Sequence, residues 1–168
     1  PYLYIDNAPS WVQGSAPSEA TSSSYKITYK YYTHTLQGGG FSGSTHVVKQ
    51  GDGILAYPEK DMTYSGNTDV WAGTLNLNGS IANSPLWLNR LTSLNTPAKS
   101  ITVKSFKADY GSTTTIGGVD AVGTLVATDA MTLGFGSRLR IDVYADGFKA
   151  DQINTAKLTK IGRAVQQE

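Results

Sequence analysis

One pattern recurs in three segments of the sequence: SFKADYGSTTTI at residues 105–116, AMTLGFGSRLRI at residues 130–141 and AKLTKIGRAV at residues 156–165. Each segment has an apolar residue, a short polar gap, a glycine and then a stretch of strand-like residues. Short strands at a fixed period of about 20–30 residues, separated by small polar turns, are typical of a β-solenoid, whose coils bury their inner faces by stacking. The pattern therefore predicts stacked coils of parallel strands.

The spacing of the glycines supports this prediction. Gly136 lies 25 positions after Gly111, and Gly162 lies 26 positions after Gly136. Two upstream segments, TLNLNGSI at residues 74–81 and PLWLNRL at residues 85–91, have a related pattern at a shorter step. Leu, Ile and Val at alternate positions would face inward, and Gly, Asn and Thr would form the turns.

The composition agrees with an all-β fold. The 168 residues suit one domain with a single core. Only 16% of them are charged, against about 25% in an average soluble domain, and 18 are glycine. We therefore expect a right-handed parallel β-helix. The alternative is an antiparallel β-sandwich, which also has many short strands at regular spacing.

The repeat does not extend to the N-terminal part of the chain. We expect one domain over residues 1–168, with a cap or small sheet at 1–60 and coils at 61–165. Alternation also predicts individual strands. These are YKITYKYYT at 25–33, SITVK at 100–104 with Ile101 and Val103 inward, and a strand with Leu139, Ile141 and Val143 inward.

Charge and residue content exclude several functions. The net charge of +1 predicts no nucleic-acid and no membrane partner. The absence of cysteine excludes disulfides and thiolate metal sites. The chain begins at Pro1, which suggests a processed or excised piece of a larger polypeptide.

Two tryptophans lie among small polar residues and are the candidate binding groups. Leu86 and Leu88 have the same parity, so Trp87 between them points outward. Trp71 shares parity with inward leucines unless a turn at Gly73 resets the alternation. An outward indole either binds a ligand or is covered by a cap or loop.

A sugar ring presents an apolar C–H face that stacks on an aromatic ring and hydroxyls that bond to polar side chains. Two neighbouring indoles would form such a stacking platform. The predicted carbohydrate site consists of Trp87, Trp71, Tyr64, Asn67, Asp69, Asn89 and Arg90.

Evidence for catalysis or metal binding is weak. His34 and His46 lie in polar contexts with no close carboxylate in sequence. The carboxylates are scattered, and no catalytic residue is predicted. Asp142 and Asp146 flank a turn that resembles a calcium loop only loosely. No cofactor and no metal site are therefore expected, although structural calcium is possible.

Two stretches, YSGNTDVWAGTLNLNGSIANSP at residues 64–85 and LGFGSRLRIDVYADGFKADQI at residues 133–153, resemble the passenger repeats of autotransporter surface proteins. The whole chain is similar to carbohydrate-binding module family 89, in its size, its tryptophan-bearing coils and its β-helical pattern. That resemblance implies a non-catalytic β-helical domain that holds a family 10 xylanase on plant xylan. Together the two resemblances imply a bacterial protein that is secreted or displayed at the cell surface. It identifies no binding residues, so the site above rests on parity alone.

The sequence therefore predicts a module that binds xylan or a related neutral β-linked polysaccharide. The expected partner is a catalytic domain covalently attached in the parent protein. Two alternatives remain open. One is a structural β-helical segment of a bacterial adhesin, and the other is a small polysaccharide lyase or hydrolase.

Overall fold

The computed structural model describes residues 33–36, 41–97, 99–118, 121–144 and 149–160, and the backbone of residues 2–6. These residues form short strands and hold no helix of the length and apolarity needed to cross a membrane. The strands in chain order are β1 (Tyr2–Asp6), β2 (Thr33–Thr35), β3 (His46–Gln50), β4 (Ile54–Ala56), β5 (Thr68–Val70), β6 (Thr74–Asn76), β7 (Leu86–Leu88), β8 (Ser93–Asn95), β9 (Ser100–Val103), β10 (Phe106–Ala108), β11 (Thr113–Thr115), β12 (Thr124–Ala127), β13 (Met131–Leu133), β14 (Arg138–Arg140), β15 (Gln152–Thr155) and β16 (Leu158–Lys160).

The strands form three sheets along the molecule. The seven-stranded sheet has the order β1-β3-β5-β7-β10-β13-β16, the six-stranded sheet β14-β11-β8-β6-β4-β2, and the three-stranded sheet β15-β12-β9. Every pairing between these strands is parallel. The chain returns to each sheet one coil later, which gives a β-solenoid of about five turns. The prediction of a parallel β-helix is confirmed, and the antiparallel β-sandwich is excluded.

Inward side chains stack in columns along the helix. In the six-stranded sheet, Leu55 pairs with Leu75, and Leu75 pairs with Leu94. In the three-stranded sheet, Ile101 pairs with Leu125. All five side chains are fully buried. Full burial of such a side chain contributes about 1.5–3 kcal/mol, so contact between successive coils supplies the core that no single coil could form.

The coils differ in length as the sequence pattern suggested. Phe106 pairs with Met131, 25 positions later, whereas Leu86 pairs with Phe106, 20 positions later. The later coils are longer because more residues precede their strands in the three-stranded sheet, namely residues 116–123 before β12 and 141–151 before β15. The predicted 25-residue step and the shorter upstream step are both present.

One turn recurs between the seven-stranded and six-stranded sheets. Gly111 and Gly136 occupy its third position with φ of 68° and 69°, which a glycine adopts without steric cost. The serine after each glycine donates its hydroxyl hydrogen to the carbonyl three residues earlier, at 2.7 Å for Ser112 and 2.8 Å for Ser137. The Gly-Ser pairs of the repeat are therefore turn residues. Gly162, the third glycine of the predicted repeat, lies outside the described residues.

The coils start before the boundary expected at residue 61. Strands β3 and β4 end at residues 50 and 56, and they already pair with β5 and β6 in the two larger sheets. On their opposite edges, β3 pairs with β1 and β4 pairs with β2. Much of the segment assigned to a cap at 1–60 lies outside the described residues, but its described strands belong to the stack. The sequence pattern did not predict that β3 and β4 belong to the coils, because HVVKQ and ILA lack the glycine-strand signature of the later coils.

Two of the three individually predicted strands can be compared with the structure. In β9, Ile101 and Val103 face inward and are fully buried, as predicted. The strand predicted around Leu139 ends at Arg140, and Ile141 is 41% exposed. The inward assignment of Ile141 and Val143 was wrong, because the chain leaves the sheet there to form an antiparallel bridge from Val143 to Ala150. The strand predicted at 25–33 lies outside the described residues except for Thr33.

Candidate functional site

The outer face of the seven-stranded sheet carries both candidate tryptophans. In β7, Leu86 and Leu88 are buried and Trp87 is 38% exposed, which confirms its predicted outward orientation. Trp71 follows the buried Val70 at the end of β5 and is 56% exposed. Gly73, with φ of 70°, turns the chain immediately afterwards. The turn therefore resets the alternation, and Trp71 also points outward.

The predicted residues come together on two neighbouring coils. Asp69 pairs directly with Trp87 across β5 and β7. The backbone N–H of Asn89 donates to Val70 O at 2.9 Å, which places Asn89 beside Trp71. Six of the seven predicted residues therefore lie on this outer face or at its edge: Trp71, Trp87, Asn67, Asp69, Asn89 and Arg90. We call this set the tryptophan face.

The Trp87 indole already has protein partners. Its Nε1–H donates to Asp109 Oδ2 at 2.9 Å. The ammonium group of Lys107 lies 4.1 Å from the ring centroid, a cation–π distance. Lys107 and Asp109 also form an ion pair at 3.3 Å. Trp87 is therefore held in a fixed orientation, and one part of its ring is occupied by a cation.

The Trp71 indole is the freer of the two rings. Within the described part of the chain it has no hydrogen-bond, cation–π or ring-stacking partner, and more than half of its surface is exposed. An indole held by its backbone turn and otherwise uncovered can accept a flat apolar partner without displacing another side chain. Trp71 rather than Trp87 is consequently the better stacking group.

Two polar groups beside the indoles have unused hydrogen-bonding capacity. Among the described residues, Asp69 Oδ1 and Asn89 Nδ2 are buried atoms with no hydrogen-bond partner. Burial raises the pKa of the Asp69 carboxyl above its usual value, and the nearby charge of His46 opposes that rise. An acceptor and a donor without partners are costly in the free protein, and a ligand hydroxyl reached by a small side-chain rotation would satisfy either one.

Tyr64 is not part of this face, and its assignment as a ligand-binding residue was wrong. Its side chain is fully buried, and its hydroxyl bonds to Thr68 Oγ1 at 2.5 Å and Tyr57 Oη at 3.2 Å. The chain of hydroxyls continues to Ser84, whose Oγ lies 2.8 Å from that of Thr68. Ser84 in turn donates to Gly66 O at 2.7 Å. Tyr64 shares parity with the buried Met62, Thr68 and Val70, so alternation extended back from β5 places this ring in the core, although the polar stretch YSGNTD indicated a loop.

The buried tyrosines predict a loss of stability at high pH. Burial and then the neighbouring Tyr64 raise the pKa of Tyr57 well above 10.0, and burial raises the pKa of Tyr64, although its hydrogen bond with Thr68 opposes the rise. Because the folded state favours the neutral phenols, the stability they contribute is complete below pH 10 and is lost as the pH rises through the raised values. We expect the late part of the tyrosinate absorbance change to coincide with loss of the β-sheet circular dichroism signal.

The Tyr64→Phe variant provides the control for that titration. It removes one late-titrating phenol, so the amplitude that coincides with unfolding should fall. Tyrosinate absorbance that reaches its final value while the circular dichroism signal remains native would contradict the assignment of Tyr57 and Tyr64 to the core.

Sequence reasoning missed Lys107 and Asp109, which hold the Trp87 ring. The signal was available, because Phe106 and Ala108 are buried and the residues alternating with them must face outward. Aligning SFKAD with PLWLN would have placed Lys107 directly beside Trp87, as the register shows.

In the part of the chain that the structure describes, neither the two histidines nor the turn at Asp142 belongs to a metal site. Within the described residues, no three His, Asp or Glu side chains converge as metal ligands would. His46 Nδ1 accepts the backbone N–H of Asn67 at 3.1 Å, and His34 is exposed in β2. The backbone N–H of Asp142 donates to Asp151 Oδ2, while Asp146 lies outside the described residues.

In comparisons with known proteins, no family model, no curated sequence and no solved structure matches the chain. The candidate site therefore rests on the geometry of the tryptophan face.

Proposed function

We propose that this chain is a non-catalytic carbohydrate-binding module, secreted or displayed by a bacterium, that holds an attached glycoside hydrolase on plant xylan or a related neutral β-linked polysaccharide. The observation that carries the proposal is the pair of outward indoles on adjacent coils. Trp71 and Trp87 are flanked by an acceptor on Asp69 and a donor on Asn89 that have no protein partner in the described residues. The resemblance to carbohydrate-binding module family 89 also supports it.

The mechanism is affinity without bond cleavage. A pyranose would lie with its C–H face on the Trp71 ring while its hydroxyls bond to side chains of the tryptophan face. An aromatic contact of this kind contributes about 0.5–1.5 kcal/mol beyond area burial, so a site with two indoles binds weakly. Attachment to a catalytic domain converts weak binding into a high effective concentration of enzyme on the polymer. The net charge of +1 suits a neutral polymer better than an acidic one.

Replacing Trp71 tests the proposal most directly. We expect Trp71→Ala to weaken binding to soluble xylan about tenfold, the equivalent of one lost stacking contact. Its melting temperature should stay close to that of the wild-type chain, because more than half of the ring is already exposed. Affinity electrophoresis in xylan-containing gels measures the first effect, and calorimetric melting measures the second.

Two further variants sharpen the interpretation. Trp71→Phe keeps an aromatic face and should retain part of the affinity. Trp87→Ala should lose affinity and also some stability, because it removes the hydrogen bond to Asp109 and the contact with Lys107. Unchanged retardation of Trp71→Ala in xylan gels would remove this ring from the site. Release of new reducing or unsaturated ends from xylan or pectin by the wild-type chain would contradict a non-catalytic role.

A further inference from the structure

A groove runs along the corner where the seven-stranded sheet turns into the six-stranded sheet. It consists of two adjoining cavities of about 320 and 460 Å³ that share Leu91 as a lining residue. The cavities contact Gly73 on one coil and Gly111 and Gly136 on the later coils. We call this the corner groove. The end of the groove at Gly73 lies beside the tryptophan face, because Trp71 and Gly73 belong to the same turn between β5 and β6.

Glycines at the corner let neighbouring coils pack closely, since a Cβ on Gly73 would lie 2.4 Å from Gly53 O and one on Gly136 would lie 3.2 Å from the Tyr110 ring. Gly73, Gly111 and Gly136 all have φ near 70°, and Leu91 occupies the same turn position as Gly111 with φ of 61°. Leu91 is 74% exposed, and its side chain lies over Gly111. A leucine in the left-handed region is strained by about 1–3 kcal/mol, and such strain is concentrated at functional sites. Leu91 therefore adds an exposed apolar side chain to the groove at this corner.

One wall of the groove is aromatic. Tyr110 and Phe135, on successive coils, are 46% and 62% exposed. Their rings are nearly parallel, with centroids 5.9 Å apart and an interplanar angle of 10°. The guanidinium carbon of Arg90 lies 5.4 Å from the Tyr110 centroid, which continues the stack toward Trp71. Arg90 and Phe135 lie on opposite sides of the Tyr110 ring, so the stack presents mainly ring edges to the cavity, together with the outer surface of Phe135.

The opposite side of the groove is polar. Its polar lining residues are Asp52, Thr74 and Ser93 at one end, where Ile54 lies beside Thr74, and Ser137 and Arg138 at the other. The Arg138 guanidinium has no acceptor within the described residues. A ligand that fills the groove must therefore be apolar along one side and rich in hydroxyl groups along the other.

We propose that the corner groove binds one extended chain of β-linked pyranoses that runs parallel to the helix axis and continues from the tryptophan face. This inference rests on the proposed function and extends it from single stacking contacts to a polymer. Successive coils are about 4.8 Å apart, which is close to the length of one pyranose in an extended β-linked chain. The aromatic positions at Trp71, Tyr110 and Phe135 follow β5, β10 and β13, which span four successive strands of the seven-stranded sheet. The surface therefore selects chains of several sugars over disaccharides.

The test is a calorimetric titration with xylo-oligosaccharides from the disaccharide to the hexasaccharide. For the wild-type chain we expect affinity to rise with length. For the double variant Tyr110→Ala/Phe135→Ala we expect disaccharide affinity near the wild-type value and hexasaccharide affinity about tenfold lower, because two ring contacts are lost, each weaker than stacking on a free ring face. Tyr110→Phe, which keeps the ring, should behave as wild type. Val143→Ala, which truncates another exposed apolar side chain, serves as the control for folding and nonspecific loss.

The outcomes separate this inference from the proposed function. If Trp71→Ala weakens hexasaccharide binding while the double variant binds as wild type, the corner groove is not used and the tryptophan face stands. If the wild-type chain binds the disaccharide and hexasaccharide equally, the extended-chain geometry is wrong. A double variant that changes only self-association in sedimentation velocity would show that the rings meet a second copy, and would overturn the inference. Absence of binding to every oligosaccharide would overturn the proposed function itself.

Discussion

Gly66→Ala should destabilise the fold by about 3–4 kcal/mol, a large effect for the addition of one methyl group. A Cβ at this position would lie 2.2 Å from Thr45 O and 2.8 Å from His46 N, and backbone atoms cannot move away as a flexible side chain can. The backbone is also fixed by its neighbours, since Ser65 N–H donates to Gly43 O at 2.8 Å. We expect a melting temperature about 10 °C lower and a reduced soluble yield.

Gly43→Ala is the matched comparison. Gly43 is in the turn that stacks on the turn of Gly66, and it has φ of 69°, but an added Cβ would meet nothing within 4 Å. Its substitution should cost only about 1 kcal/mol of conformational strain. If Gly66→Ala melts no lower than Gly43→Ala, the two turns do not approach as closely as described.

Lys49→Met should lower the free energy of unfolding by about 3 kcal/mol. Lys49 faces inward from β3 and is fully buried. Its ammonium group donates to Gln50 O at 2.9 Å, Gly51 O at 2.6 Å and Ala72 O at 3.0 Å. Methionine preserves much of the volume of the stem but leaves these carbonyl oxygens without that donor. Chemical denaturation followed by circular dichroism measures the change.

Lys104→Met is the control for the loss of a positive charge. Lys104 is exposed, and its substitution should change stability by less than about 0.5 kcal/mol. Equal unfolding midpoints for Lys49→Met and Lys104→Met would show that the buried ammonium does not hold together the turns that follow β3 and β5.

The Lys49 effect also bears on the proposed binding surface. Ala72, one of its acceptors, lies between Trp71 and Gly73 in the turn that carries the freer indole. Lys49→Met should therefore loosen this turn in addition to reducing global stability, whereas Trp71→Ala should alter binding with the fold intact. Comparing the two variants separates loss of the ring from loss of the turn that orients it.

Local patterns were sufficient for the coil architecture and for the orientation of Trp87. Alternation along β7 and β9 follows from the pleat, in which successive side chains point to opposite faces. The 25-residue spacing of Gly111 and Gly136 marks one repeating turn. The geometry of this turn depends on the φ angle of the glycine and on the hydrogen bond of the serine that follows it. Both properties arise within a few residues of chain and can therefore be recognised without coordinates.

Irregular segments were where local patterns failed. Tyr64 lies between β4 and β5 in a polar stretch that indicated a loop, yet it shares parity with the buried Thr68 and Val70 and points inward as they do. Its hydroxyl bonds to Thr68 and Tyr57 within the core. The antiparallel bridge that turns Ile141 and Val143 outward depends on a return of the chain at Ala150. The outward direction of Ile141 and Val143 does not follow from the residue types alone.

The sequence by itself determined that the chain forms stacked parallel coils, that Leu86 and Leu88 face inward, and that Trp87 faces outward, because strand alternation and turn chemistry are local. Only the tertiary structure decided which outward residues share a surface. The pairing of Asp69 with Trp87, the Lys107 contact and the stack of Tyr110 on Phe135 all depend on the register between coils. That register is set by coil lengths of 18 to 25 residues in this region, which vary with the irregular turns, so adjacent positions on the surface are far apart and unevenly spaced in the chain.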